Sequence, residues 1–199
     1  MYFALEIFFF LFLSLVGIFF LWRRLREDLS ENLIFSLGLS IFGLTSLFLI
    51  PSYFYKDAIF WFVLLGLGVS VYIQSKKKKV KFFEIVDVLT ISCLWCFFAR
   101  AAILLGFKRD FAELINFCSV VSLIFLYHFV FRSYKQFVWY KSGRIGIAGV
   151  ITLFAFFLGR FLVGVFLPDV LSLNSRLEMS FSLLFLFLVL FGFYKLNKI

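Results

Sequence analysis

Histidine, proline and cysteine are scarce in this 199-residue chain, which has one, two and three of them. The single histidine, His128, lies on a different apolar run from Cys93-x-x-Cys96, so that CxxC lacks the further ligands a metal needs, and no metal or other cofactor is expected. Cys93, Cys96 and Cys118 all fall within apolar runs, where a disulfide framework is not expected. Acidic residues number only 11 against 20 Lys and Arg, too few charges for water to be the solvent of most of the chain. A cleavable signal peptide is not evident either, because no basic stretch precedes the first apolar run.

What the chain has is apolar mass: 64% of the residues are hydrophobic and 34 are Phe. A bilayer accepts apolar residues on every face of a helix. Crossing about 30 Å of hydrocarbon takes about 20 residues, and seven runs approach that length: Tyr2 to Trp22, Leu33 to Ile50, Ala58 to Ile73, Val86 to Leu105, Leu114 to Phe131, Ile145 to Leu167 and Ser180 to Tyr194. The expected fold is an all-α, polytopic bundle of seven transmembrane helices forming one domain over residues 1–199, with the third and seventh helices short. Connections are brief, and Pro51 with Ser52 closes the second helix.

The net charge of +9 raises nucleic acid as a partner, yet the basic residues sit in short clusters between apolar runs and form no basic face, so no nucleic acid is expected. Topology accounts for them. An outside amino terminus puts 14 Lys and Arg on the cytoplasmic side, including Arg23, Arg24, Arg26, Lys76 to Lys79 and Lys81, and leaves four outside, namely Lys56, Lys108, Arg109 and Arg176. The carboxyl terminus is then cytoplasmic. The lysine run also suits anionic inner-leaflet lipid. Glu84 and Asp87, which follow it, read as caps of the fourth helix paired with nearby lysines.

The remaining two basic residues, Arg100 and Arg160, lie within the fourth and sixth runs, where an ionisable group is costly and is a functional candidate. Both runs go from inside to outside, and at about 1.5 Å per residue both arginines fall roughly 21 to 23 Å from the cytoplasmic end, in the outer third of the bilayer. Two arginines at one depth repel each other unless an anion lies between them, and the guanidinium fork matches a phosphate. A phospholipid headgroup of the outer leaflet is the natural ligand. The alternatives are that each arginine snorkels to the surface or pairs with an acid such as Glu6. His128 reads as a structural histidine, and Gly66, Gly68, Gly146 and Gly149 as points of close helix packing.

The order of these features resembles the bacterial prolipoprotein diacylglyceryl transferase family. WRRLREDLSENLIFSLGLSIFGL (Trp22 to Leu44) is similar to that family's basic stop and the opening of its second helix, and KKKKVKFFEIVDV (Lys76 to Val88) to the entry of the helix that carries a G-R pair, here Ala99 and Arg100. GRIGIAGVITLFAFFLGRFLV (Gly143 to Val163) resembles the late helix ending in a headgroup-binding arginine, here Arg160, and LEMSFSLLFLF (Leu177 to Phe187) the start of the last helix.

The resemblance implies seven helices with the amino terminus outside, a bacterial cytoplasmic (inner) membrane location, phosphatidylglycerol as lipid partner and a prolipoprotein signal peptide as acceptor. It also implies transfer of a diacylglyceryl group to a cysteine at the outer leaflet. The family's H-G-G-x-x-G falls at Trp61, Phe62, Val63, Leu64, Leu65 and Gly66, so its His is Trp61; its Asn is Ile103 and its late acid is Gly164. A non-catalytic lipid-binding or assembly protein is therefore the rival reading. A small transporter or channel is a further one, against which stands the lack of paired intramembrane acids and of broken helices.

Overall fold

The computed structural model describes residues 2–50, 59–108, 111–134, 146–166 and 175–198. Those residues form seven α-helices: α1 (Tyr2–Leu25), α2 (Glu31–Ser46), α3 (Ile59–Lys78), α4 (Phe82–Lys108), α5 (Phe111–Ser133), α6 (Ile147–Phe166) and α7 (Ser175–Lys198). All but α2 are long and apolar enough to cross a membrane, and outward-facing Leu15, Phe107, Phe125 and Phe187 are more than half exposed. The chain is a multi-pass helical membrane protein, and its helices satisfy their own backbone groups, as a bilayer demands.

Several helices run past the apolar segments that announce them. The third and seventh, expected to be short, span 20 and 24 residues. Lysine is a good helix former, so α3 continues through Lys76, Lys77 and Lys78, whose charges also suit a helix carboxyl end. It stops where Lys79 turns left-handed, with φ 55°, and the Val80 amide donates to the Ser75 carbonyl at 3.2 Å, a Schellman closure. By contrast α2 is only 16 residues, about 24 Å.

By its contacts the chain divides into two compact units, residues 1–96 and 97–199, with the boundary inside the continuous helix α4. In the first unit α1 and α2 are antiparallel. An ideal Cβ on Gly17 would collide with the Phe42 ring, and one on Gly38 would lie 2.8 Å from Ile18. Helix α2 is antiparallel to α3 as well: Ser36 meets Lys78, Thr45 meets Ser70, and Phe48 covers Gly66, so one number falls as the other rises. Gly66 is thus a point of close packing, whereas a Cβ on Gly68 would meet nothing within 4 Å. Gly146 lies ahead of α6 rather than on it, with φ 116°, which an L side chain rarely adopts.

The second unit holds the end of α4 together with α5, α6 and α7. Phe98 of α4 meets Phe117 of α5 across a two-residue connection, at a centroid distance of 5.4 Å. Tyr134, just past α5, shares a buried cluster with Ile147 at the start of α6, and Ile151 and Phe193 pack against it. Phe157 stacks on Phe185 at 4.9 Å. These pairings make successive helices antiparallel. Helices α4 and α6 consequently run the same way, and Phe97 stacks on Phe156 at 6.0 Å with the rings 17° apart.

Candidate functional site

The Phe97–Phe156 stack fixes the relative height of α4 and α6, and with it the two intramembrane arginines. Arg100 is three residues beyond Phe97 and Arg160 four beyond Phe156, which on parallel helices places them about 4.5 and 6 Å above the stacked rings, on one level. They lie eight and six residues before the ends of their helices, or about 12 and 9 Å from them. Both are half-buried. Arg160 falls between Phe156, which meets α4, and Phe157, which meets α7.

The same ring pairs bring three polar residues to this level that the apolar runs concealed. From Phe117, Glu113 is one turn toward the start of α5, and Asn116 is three residues on from Glu113. From Phe185, Ser182 is three residues toward the start of α7. All five positions fall within about one helical turn, 5.4 Å, of a common height. Glu113, one residue ahead of the Leu114 to Phe131 apolar run, is helical and only 7% exposed. It heads a stripe at alternating three- and four-residue spacing, through Asn116, Val120, Leu123 and Tyr127, whose apolar members are buried. That stripe is visible in the sequence and is the signal by which Glu113 and Asn116 are identified.

Ser182 is 0% exposed, and its Oγ has no hydrogen-bond partner among the described residues. Hydroxyls elsewhere in this unit behave differently: Ser119, Ser122 and Thr152 donate to the carbonyl four residues back, at 2.8, 2.9 and 2.7 Å. A buried hydroxyl without a partner costs about 1–3 kcal/mol, and a ligand oxygen at this level would remove that cost. Chemically, the layer contains two guanidiniums, one carboxylate, one carboxamide and, in Ser182, a hydroxyl without a partner among the described residues. Such a set suits an oxyanion carrying further polar groups.

Other residues singled out by sequence lie elsewhere. Glu6 is on α1 in the first unit, and its side chain is outside the described residues. Trp61, at the position of the transferase family's His, is 1% exposed in the first unit, with the Phe60 ring edge-on at 5.2 Å. It holds no proton-transferring group. Ile103 is exposed on α4, and Gly164 is buried on α6. His128 is exposed, with Nδ1–H donating to the Ile124 carbonyl at 2.9 Å, a structural bond within its own helix. Cys93 and Cys96 are buried free thiols, and Cys118 is an exposed one. Among the described residues no three His, Cys, Asp or Glu gather as a metal set would. Glu84 lies in the first turn of α4, where a carboxylate suits the helix amino terminus, and it and Asp87 are 7% and 2% exposed.

Comparison of the chain with known protein families, with curated proteins and with solved structures finds no match to any of them.

Proposed function

We propose that this protein binds the headgroup of an anionic phospholipid, phosphatidylglycerol foremost, in the polar layer of its second unit. The observation that carries the reading is the Phe97–Phe156 stack, because it sets Arg100 and Arg160 at one height on neighbouring parallel helices. Charge placement in the connections supports an amino terminus outside and a carboxyl terminus in the cytoplasm. With that orientation the layer opens to the outer leaflet of a bacterial cytoplasmic membrane. The arginine forks hold the phosphate oxygens, and the acyl chains stay among the exposed apolar faces.

Resemblance to the diacylglyceryl transferases supports a second reading, in which the bound lipid reacts. A prolipoprotein cysteine thiolate attacks the glyceryl carbon that bears the phosphate, the carbon–sulfur bond forms as the carbon–oxygen bond breaks, and the electron pair leaves with glycerol phosphate. The two arginines stabilise that departing charge. Buried, apolar Trp61 in place of the family's His favours binding without turnover, as in a lipid-binding or assembly protein.

Native mass spectrometry of the full chain tests the first reading. Retention of phosphatidylglycerol by the wild type, and its loss in the Arg100→Ala, Arg160→Ala double variant, is the expected result. No anionic lipid retained by the wild type overturns it. Labelled phosphatidylglycerol supplied with a lipobox peptide tests the second, which fails if transfer does not exceed that of the double variant.

A further inference from the structure

We propose that Glu113 sets the charge preference of this site, so that the layer takes a singly charged phosphodiester and rejects a doubly charged phosphomonoester. The proposal rests on the headgroup reading above and adds a specificity residue to it. With two guanidiniums and one carboxylate, the layer carries a formal charge of +1. A phosphodiester headgroup carries −1 and neutralises it. A phosphomonoester carries about −1.5 to −2 at pH 7 and leaves excess negative charge in a low-dielectric layer, where unbalanced charge is most costly.

Two observations converge on this level of the bundle. Glu113 is 7% exposed on the packed stripe of α5, at the level of the two arginines, so water screens its carboxylate little. Independently, the fully enclosed Ser182 Oγ has no partner among the described residues, which leaves its hydroxyl as a donor for a ligand oxygen. A phosphodiester has two unesterified oxygens to share between the arginine forks and this hydroxyl. Glu113 therefore governs which phosphate is preferred, and Ser182 adds to the hold on either.

The test is a competition in native mass spectrometry, with the full-length protein offered equal amounts of phosphatidylglycerol and phosphatidic acid of matched chains at pH 7.5. The wild type is expected to retain the diester in preference. Glu113→Gln raises the layer to +2 and should move the ratio toward phosphatidic acid by about tenfold, as expected for one added charge acting at close range in a partly desolvated site. Glu113→Asp should keep the wild-type ratio, and Ser182→Ala should weaken retention of both lipids without changing it. An unchanged ratio in Glu113→Gln, with both lipids still bound, overturns the proposal and leaves the headgroup reading standing. Absence of any bound anionic lipid in the wild type fails the headgroup reading itself. If Glu113→Gln does not fold, Arg100→Gln, which lowers the layer to zero, must shift the ratio further toward the diester, and no shift there overturns the proposal.

Discussion

Ser182→Ala should stabilise the protein without lipid and destabilise it with lipid. Ser182 Oγ is enclosed and has no partner among the described residues, and such an orphaned hydroxyl costs about 1–3 kcal/mol. The lower part of that range applies, because a helix unfolded within a membrane also finds partners for its polar groups. Removing one oxygen leaves the helix backbone untouched and opens only a small void, so the delipidated variant should gain about 1 kcal/mol. For a chain of this size that corresponds to a rise of about 2–4 °C in Tm. A hydrogen bond from the hydroxyl to a charged phosphate is worth about 1.5–3 kcal/mol, and the variant forfeits it when lipid is present. Paired thermal melts in detergent, delipidated and saturated with phosphatidylglycerol, read both signs. A change of the same sign in the two conditions refutes the reasoning, because it would mean that Ser182 contributes to the bundle and not to a ligand.

Further expectations concern packing and topology. Gly17→Leu should lower Tm through an overpacking cost of about 1–3 kcal/mol, since even a Cβ there collides with Phe42, whereas Gly43→Ala, with nothing within 4 Å of the new carbon, should be neutral or raise it by up to about 1 kcal/mol. Lys79→Gly relieves a left-handed lysine and should stabilise the protein by about 1–2 kcal/mol, read as a higher Tm. Ser70→Ala removes the acceptor of the 3.3 Å Thr45 hydroxyl bond, while Thr45 keeps its 2.8 Å bond to Ile41, so the loss should stay near 0.6 kcal/mol. Reporter fusions to the α3–α4 connection should place it in the cytoplasm, and replacing Lys76 to Lys79 and Lys81 with Gln should reduce that bias.

Much of the helical layout was legible in the sequence, because apolar run length answers directly to bilayer thickness. Arg100 and Arg160 stood out in the sequence as well, since an ionisable side chain within an apolar run is costly. Helix ends were not. Lys76 to Lys78 lower the hydropathy of α3 without ending it, because hydropathy and helix propensity are separate properties of lysine. Nor was the company the arginines keep. Glu113 lay near a predicted helix end and read as part of a connection, and Ser182 vanished into an apolar run, because height within a bundle depends on which rings meet across helices. The pairs Phe97–Phe156, Phe98–Phe117 and Phe157–Phe185 decide it, and among 34 phenylalanines no spacing rule singles them out.

The polar layer is spread along the chain in a way that matters during synthesis. Glu113 emerges 13 residues after Arg100, Arg160 another 47 later, and Ser182 another 22 after that. At about 5–20 residues per second, Arg100 is made about 1–3 s before the nearest acid of the layer and about 4–16 s before the last member. A nascent helix carrying a guanidinium must wait that long in or beside the bilayer. Glu113 is thus the first acid of the layer to be made after Arg100, and the order of translation sets how long that guanidinium stays without one.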